Sequence, residues 1–169
     1  MPYFLILLLF SFGGHAEAEN NKIANAWKLS PLVLPDLENK QRNLYGWHGK
    51  VIILNFWATW CGPCQIEIPY LIKFQKKYAA KGLQVVGVGL DDTRKLQNYV
   101  RTVGINYPVL RADPEENFSL LATWGNPFGT LPYTVVINRQ GGFVLMHQGI
   151  FSEAIFNQFV LPLLSADLE

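Results

Sequence analysis

The only two cysteines of this chain, Cys61 and Cys64, sit where an unbroken apolar run ends and a helical pattern begins. The run is Val51-Ile52-Ile53-Leu54-Asn55-Phe56-Trp57. It shows no polar alternation, which fits a central strand buried on both faces of a parallel sheet. Trp60-Cys61-Gly62-Pro63-Cys64 follows it. Two thiols at this spacing can close a small disulfide, hold a metal between thiolates, or cycle between dithiol and disulfide.

The segment after the cysteines reads as a helix to about Ala80, stopped by Gly82. Pro69 lies inside it and should kink it, because proline lacks an N–H and clashes with the preceding turn. Cys64, Glu67, Leu71, Phe74 and Tyr78 recur at steps of 3, 4, 3 and 4 residues, so they share one stripe. Leu71, Phe74 and Tyr78 turn that stripe toward the core. Glu67 is therefore a carboxyl one turn below Cys64 on an inward face. Leu83 to Leu90 reads as a second buried strand, and strand–helix–strand of these lengths is a βαβ crossover.

The N-terminal 18 residues differ from the rest. Tyr3 to Phe12 is almost wholly apolar, and Ala16-Glu17-Ala18 follows as an A-x-A pattern. This reads as a cleaved secretory signal, with the mature chain starting near Glu19, in preference to a retained membrane anchor, since the apolar run is short of the about 20 residues that span a bilayer. No cysteine near the cleavage point could carry a lipid. Removing the signal removes Glu17 alone among the charged side chains, and the net charge moves from +1 to about +2. With no basic block beyond Lys76-Lys77, nucleic acid is not the expected partner. At 169 residues, half of them apolar, the chain holds one domain: residues 19–30 as a lead-in and 31–169 as the folded part. Export favours disulfides, but two cysteines so close restrain little chain. The pair points to redox work.

Further along, residues Leu32 to Leu37 and Asn43-Leu44 flank a polar tip, Glu38 to Arg42, as in a short hairpin whose first strand Pro35 confines to an edge. Gly46 to Lys50 reads as a turn. Asp91 or Asp92 caps a helix that Gly104 ends. Tyr107 to Leu110 is a short strand. Asp113-Pro114-Glu115-Glu116 resembles an N-cap, a first-turn proline and a capping acid, for a helix ending near Trp124-Gly125. Tyr133 to Asn138 and Phe143 to Gln148 form a hairpin around Gly141-Gly142. Ser152 caps a last helix that should stop at Leu161-Pro162.

Cys61 belongs at the mouth of its helix, where unpaired N–H groups and the dipole favour a thiolate. Cys64, one turn in, suits the resolving role in disulfide exchange. A zinc site would need two more ligands, and only His48 and His147 remain after signal removal, at no recognisable spacing.

The string Trp57-Ala58-Thr59-Trp60-Cys61-Gly62-Pro63-Cys64 resembles the active site of the thioredoxin superfamily. Asn55 before it, Glu67 and Pro69 after it, and the leader make the TlpA/ResA-type exported thiol-disulfide oxidoreductases the closer resemblance, over roughly residues 31–164. The resemblance implies an α/β thioredoxin-like fold: a central mixed sheet flanked by helices, with an N-terminal hairpin. The 67 residues between Cys64 and Pro132 leave room for the family's extra strand–helix insertion, around residues 105–125. It implies Cys61 as nucleophile, Cys64 as resolving cysteine, and Glu67 as an acid with a raised pKa that exchanges a proton with them. Asn55 stands where cytosolic thioredoxin has a buried acid. Pro132 falls at the family's cis-proline, and Trp60, Gly62, Pro63, Leu131 and Pro132 would meet the substrate. Phe128 and Tyr133 could extend an apolar rim around Trp60.

The expected function is that of an exported, periplasmic reductant of protein disulfides. It would need no cofactor or metal beyond the Cys61–Cys64 disulfide and would work as a monomer. A membrane thiol donor would recharge it, and apocytochrome c, another redox protein or a cuproprotein would be its substrate. Two alternatives use the same cysteines. One is a metallochaperone holding Cu(I), with His147 assisting, although the copper carriers of this fold space their cysteines more widely. The other is a peroxidase of the related peroxiredoxin fold, whose proline–threonine framing of the cysteine is missing here.

Overall fold

The computed structural model describes residues 32–113 and 115–165. The signal and lead-in expected for residues 1–30 lie outside them, as does Pro114. Val33–Pro35 (β1) pairs antiparallel with Gln41–Asn43 (β2) as a separate two-stranded sheet. Its turn closes on Asp36, whose carboxylate accepts from the N–H groups of Glu38 and Lys40 and pairs with Arg42 at 2.8 Å. The expected polar tip is thus shorter, because Gln41 and Arg42 already belong to the returning strand. The segment expected as a turn near Gly46 is a 3-10 helix, Leu44–Trp47, capped by the Asn43 side chain.

Val51–Trp57 (β3) is buried at all seven positions. It leads into the helix Gly62–Tyr78 (α1) and returns as Leu83–Gly89 (β4), parallel to β3 and also buried throughout. The helix Thr93–Val103 (α2) starts at Asp92, whose carboxylate caps Arg94 and Lys95. Next come Val109–Arg111 (β5), Asn117–Thr123 (α3), Tyr133–Ile137 (β6), Phe143–Gln148 (β7), Glu153–Phe159 (α4) and Leu161–Ser165 (α5). The main sheet has the order β5-β4-β3-β6-β7, with β6 antiparallel to both β3 and β7. This is the mixed thioredoxin-like sheet flanked by helices.

Strand periodicity splits β3 between two faces. Val51, Ile53 and Trp57 join the cluster that includes Leu71 and Phe74 of α1 and Phe156 of α4. Phe56 points the other way, toward the rings of Trp124 and Tyr133. Helix α1 runs on into a 3-10 turn, Ala79–Lys81, which ends where Gly82 takes a φ of 87°, a left-handed cap that side chains other than glycine adopt at a cost. Arg139, in the β6–β7 turn, reaches across to bond the carbonyls of Gly49 and Lys81.

One helix start is corrected. Asp113 does not cap a helix. Its side chain and carbonyl close a turn on the N–H groups of Glu115 and Glu116, and α3 begins only after Glu116. An Asp that bonds its own local backbone offers an alternative to the helix. The helix capped by Ser152 ends at Phe159, close to the expected Leu161-Pro162, and Pro162 falls in the first turn of a further short helix, α5, where a proline needs no N–H partner.

Ring packing helps to hold the C-terminal helices against α1. Phe74 and Phe156 stack with centroids 4.0 Å apart, and Tyr78 closes on the same ring at 5.0 Å. Phe156→Ala is expected to cost about 3–5 kcal/mol of folding stability. Urea unfolding followed by circular dichroism checks this, and a loss below about 1 kcal/mol would mean that the cluster does not bind these helices down.

Candidate active site

Cys61 is the N-cap of α1 in extended conformation, and its Sγ accepts from the N–H of Cys64 at 3.2 Å. Sγ of Cys61 and Sγ of Cys64 form a disulfide with Cα atoms 5.3 Å apart. Cys64 is fully buried and Cys61 nearly so, at 5% exposure. The approach to the helix is braced twice. Gln65 donates to the carbonyl of Thr59 at 2.8 Å, and the Thr59 hydroxyl bonds the carboxylate of Asp91. Burial pushes the Asp91 carboxyl up, but the bonds from Thr59 and the Asp92 N–H, with the charge of Lys95, outweigh it and hold the group below its usual range.

The inward stripe of α1 is as spaced: Cys64, Glu67, Leu71, Phe74 and Tyr78 are all buried, and so is Gln75. Glu67 has no exposed surface. One carboxyl oxygen accepts from Asn55 Nδ2 at 2.6 Å, the other from the N–H of Phe151 at 2.8 Å. Burial pushes its pKa up to about 7, against these two bonds, which pull it down. Asn55 also donates to Thr134 Oγ1 at 3.0 Å. The hydroxyl of Tyr107 is buried as well, and burial together with the charge of Glu67 raises its pKa far above the usual value.

On the facing loop the Leu131–Pro132 peptide bond is cis, Leu131 is half-buried and Pro132 buried. The loop before it is tied by Asn126, whose side chain bonds both the carbonyl and the N–H of Thr130. Gly62 and Pro63 are exposed on the first turn of α1. Trp60 is 69% exposed and Phe128 83% exposed. Tyr133 is no part of an apolar rim. It is buried and donates its hydroxyl to the carbonyl of Trp124 at 2.7 Å, because it points to the opposite face of β6 from Thr134. Among the described residues no cluster of His, Cys, Asp and Glu is arranged to hold a metal, and His147 contacts the carbonyl of Ile150.

The profile of the AhpC/TSA family matches residues 24–145. The thiol-disulfide oxidoreductase ResA of Bacillus thuringiensis (strain Al Hakam) is 32% identical over 128 residues, 75% of this chain and 71% of that one. This chain belongs to the thioredoxin superfamily, among the ResA-type thiol-disulfide oxidoreductases. The ResA of Bacillus subtilis (strain 168) is 29% identical over 129 residues, covering 76% and 69% of the two chains. A thiol:disulfide interchange protein of Chlorobium tepidum TLS superposes with a TM-score of 0.68 at 33% identity, over 80% of this chain and 94% of its own. A secreted thiol-disulfide isomerase of Corynebacterium glutamicum does so with a TM-score of 0.71 at 28% identity, over 80% and 84%. The protein is accordingly a thiol-disulfide oxidoreductase of this type.

Sequence reasoning missed the second partner of the acid, the Phe151 N–H, and two neighbours: Thr134, which bonds Asn55, and Tyr107, whose hydroxyl feels the charge of Glu67. Only Asn55 carried a signal, as a lone amide in a buried strand that must find a bond.

Because the folded chain holds the Glu67 proton to about pH 7 while an unfolded glutamate releases it near 4.5, the folded form binds more protons between those values. Stability contributed by this group is present below the unfolded pKa and is lost as pH rises to about 7. In the oxidised protein, the stability of Glu67→Gln relative to wild type should rise by about 3 kcal/mol across that window and level off above it. Denaturant midpoints at a series of pH values check this; a constant difference would mean that Glu67 titrates normally.

Proposed function

We propose that this protein is an exported reductant of protein disulfides that works through a Cys61–Cys64 dithiol/disulfide cycle with Glu67 as its proton partner. The observation that carries the reading is the stacking of three groups on one helix end: an N-cap sulfur, a buried sulfur, and a buried carboxyl one turn below.

In the reduced form, helix N-terminal N–H groups favour the thiolate of Cys61. That thiolate attacks one sulfur of a substrate disulfide. The other substrate sulfur leaves as a thiolate and takes a proton from solvent, and a mixed disulfide remains. Cys64 gives its proton to the Glu67 carboxylate, attacks Sγ of Cys61, and expels the second substrate sulfur. Two electrons have passed to the substrate, and Cys61–Cys64 is left oxidised. A carboxyl poised near neutral pH suits this exchange, since a proton partner works best near the operating pH.

Leu131 supports the docking side of the reading. Among the described residues no backbone hydrogen bond of this loop involves it, which leaves its N–H and carbonyl for an extended substrate segment. Trp60, Gly62, Pro63, Leu131 and Pro132 form the contact surface in this reading, and Phe128 adds an apolar flank. Gly62-Pro63 between the cysteines favours the reducing direction, as in thioredoxin. The leader-like residues 1–18 and the secreted relative support export. No helix among the described residues is long and apolar enough to cross a membrane. A membrane thiol donor would restore the dithiol, the protein would act as a monomer, and apocytochrome c or a cuproprotein fits as substrate.

Cys64→Ser should trap the mixed disulfide with a model disulfide protein, and Cys61→Ser should form none, as read by non-reducing electrophoresis. Glu67→Gln should slow disulfide reduction by roughly 100-fold near neutral pH and shift the thiol titration. The Cys61–Cys64 reduction potential should lie near about −270 mV. A value near about −120 mV would reverse the direction of electron flow, and an unchanged rate in Glu67→Gln would remove the acid from the mechanism.

A further inference from the structure

Asn55 is the one amide in the buried strand β3, and it faces α1 rather than the opposite layer. Its Nδ2 bonds two oxygens, Glu67 Oε1 at 2.6 Å and Thr134 Oγ1 at 3.0 Å. Its other end, Oδ1, is buried and makes no hydrogen bond among the described residues. The 2.6 Å separation is shorter than the about 2.7–3.2 Å usual for N–H···O and falls within the O–H···O range. The two ends of an amide have nearly the same shape, so the group can turn over in place. The turn exchanges two bonds for two: Oδ1 stands where Nδ2 stood and accepts from Glu67 and from Thr134, whose hydroxyl changes from acceptor to donor, while the end left without a partner among the described residues changes from Oδ1 to Nδ2. Thr134 is the residue paired with Asn55 across the β3–β6 ladder and is itself fully buried.

We propose that Asn55 is a two-way positioning residue for Glu67: its amide donates to the carboxylate in one orientation and, turned over, accepts from the protonated carboxyl in the other, with Thr134 as the pivot. The inference rests on Glu67 exchanging a proton with the cysteines, and it says how the site tolerates both states. Phe151 N–H holds the far oxygen throughout. The proton that leaves a thiol becomes the O–H that bonds Asn55 Oδ1, and when it departs the amide turns back. An aspartate at position 55 would compete for that proton. A leucine would leave the near oxygen unpaired in a dry seam, where an unmade bond to a charged group costs most.

The titratable groups facing Glu67 are few. Cys64 and Cys61 lie at the head of its own helix, and Tyr107 approaches from the segment before β5. His147 on β7 lies one strand beyond Thr134 in the same cross-strand row. No lysine or arginine among the described residues shifts the carboxyl.

The test uses the oxidised protein, in which the thiols do not titrate, with His147→Gln as background to remove the imidazole in the cross-strand row of Thr134. The Glu67 carboxyl carbon and the Asn55 side-chain amide are followed by NMR from about pH 5 to 9. The Asn55 amide signals should move with the same midpoint as the Glu67 carboxyl and stay constant in Glu67→Gln. Asn55→Leu should raise the Glu67 midpoint by about one pH unit or more, since the bond it removes from the charged form is stronger than the one it removes from the protonated form. Should Asn55→Leu not fold, the near-isosteric Asn55→Asp also raises the midpoint, by placing a second carboxyl beside the first. Asn55 amide signals that ignore the Glu67 titration overturn the proposal, and so does an unchanged midpoint in the folded variant. Reductase assays separate the two readings: coupled titration with a wild-type rate in Glu67→Gln supports the clamp and removes the proton exchange beneath it.

Discussion

A carboxyl group with no exposed surface is the constraint on which the rest of this structure depends. An ionised acid in a dry interior is strongly disfavoured unless hydrogen-bonded. Glu67 satisfies its two oxygens from two distant parts of the chain, the middle of β3 and the segment after β7. Phe151 is 84 residues away from it in sequence. The acid is therefore complete only when the sheet centre and the C-terminal region have both assembled. Site formation and global folding are in this sense one event, and a lesion far from the disulfide reaches it through these bonds.

The same helix stripe serves packing and chemistry. Cys64 and Glu67 occupy its first turns, and Leu71, Phe74 and Tyr78 continue it into the ring cluster around Phe156. Gln75, also buried, accepts from the N–H of Val85 and ties the helix to β4. The lower turns anchor α1 against the sheet, and the upper turns are thereby held in register with Asn55. Cys61 is positioned from the other side, through Thr59, Asp91 and Gln65. The reactive end of the helix is thus held by polar bonds above and by apolar packing below.

Much of this was legible in the chain itself. The seven-residue apolar run, the cysteines at its end and the 3-4-3-4 stripe specify a buried strand, a helix and an inward acid, because each signal is local and periodic. What escaped was non-local. Thr134 and Asn55 meet only through the antiparallel register of β6 on β3, which no spacing in the sequence reveals. Tyr133 read as a rim aromatic because it adjoins Pro132, but the strand's alternation turns it to the far face. Asp113 misled because helix punctuation depends on its neighbours: its side chain bonds a local turn, and the helix starts later.

The site keeps two kinds of contact apart. Its outer surface, Trp60 and Phe128 with the exposed first turn of α1, is apolar and open, suited to a polypeptide whose sequence need not be read closely. Its inner surface is polar and closed, an acid, an amide and a hydroxyl with no solvent exposure. The disulfide lies between them, one sulfur toward each side. A substrate that covers the outer surface excludes water from Cys61 without touching Glu67, which already sits in a dry seam. The low dielectric of that seam strengthens each bond it contains. In the proposed cycle, electron transfer at the surface and proton transfer in the core would then meet at Cys64, and the proton equilibrium would be set by the fold rather than by the partner.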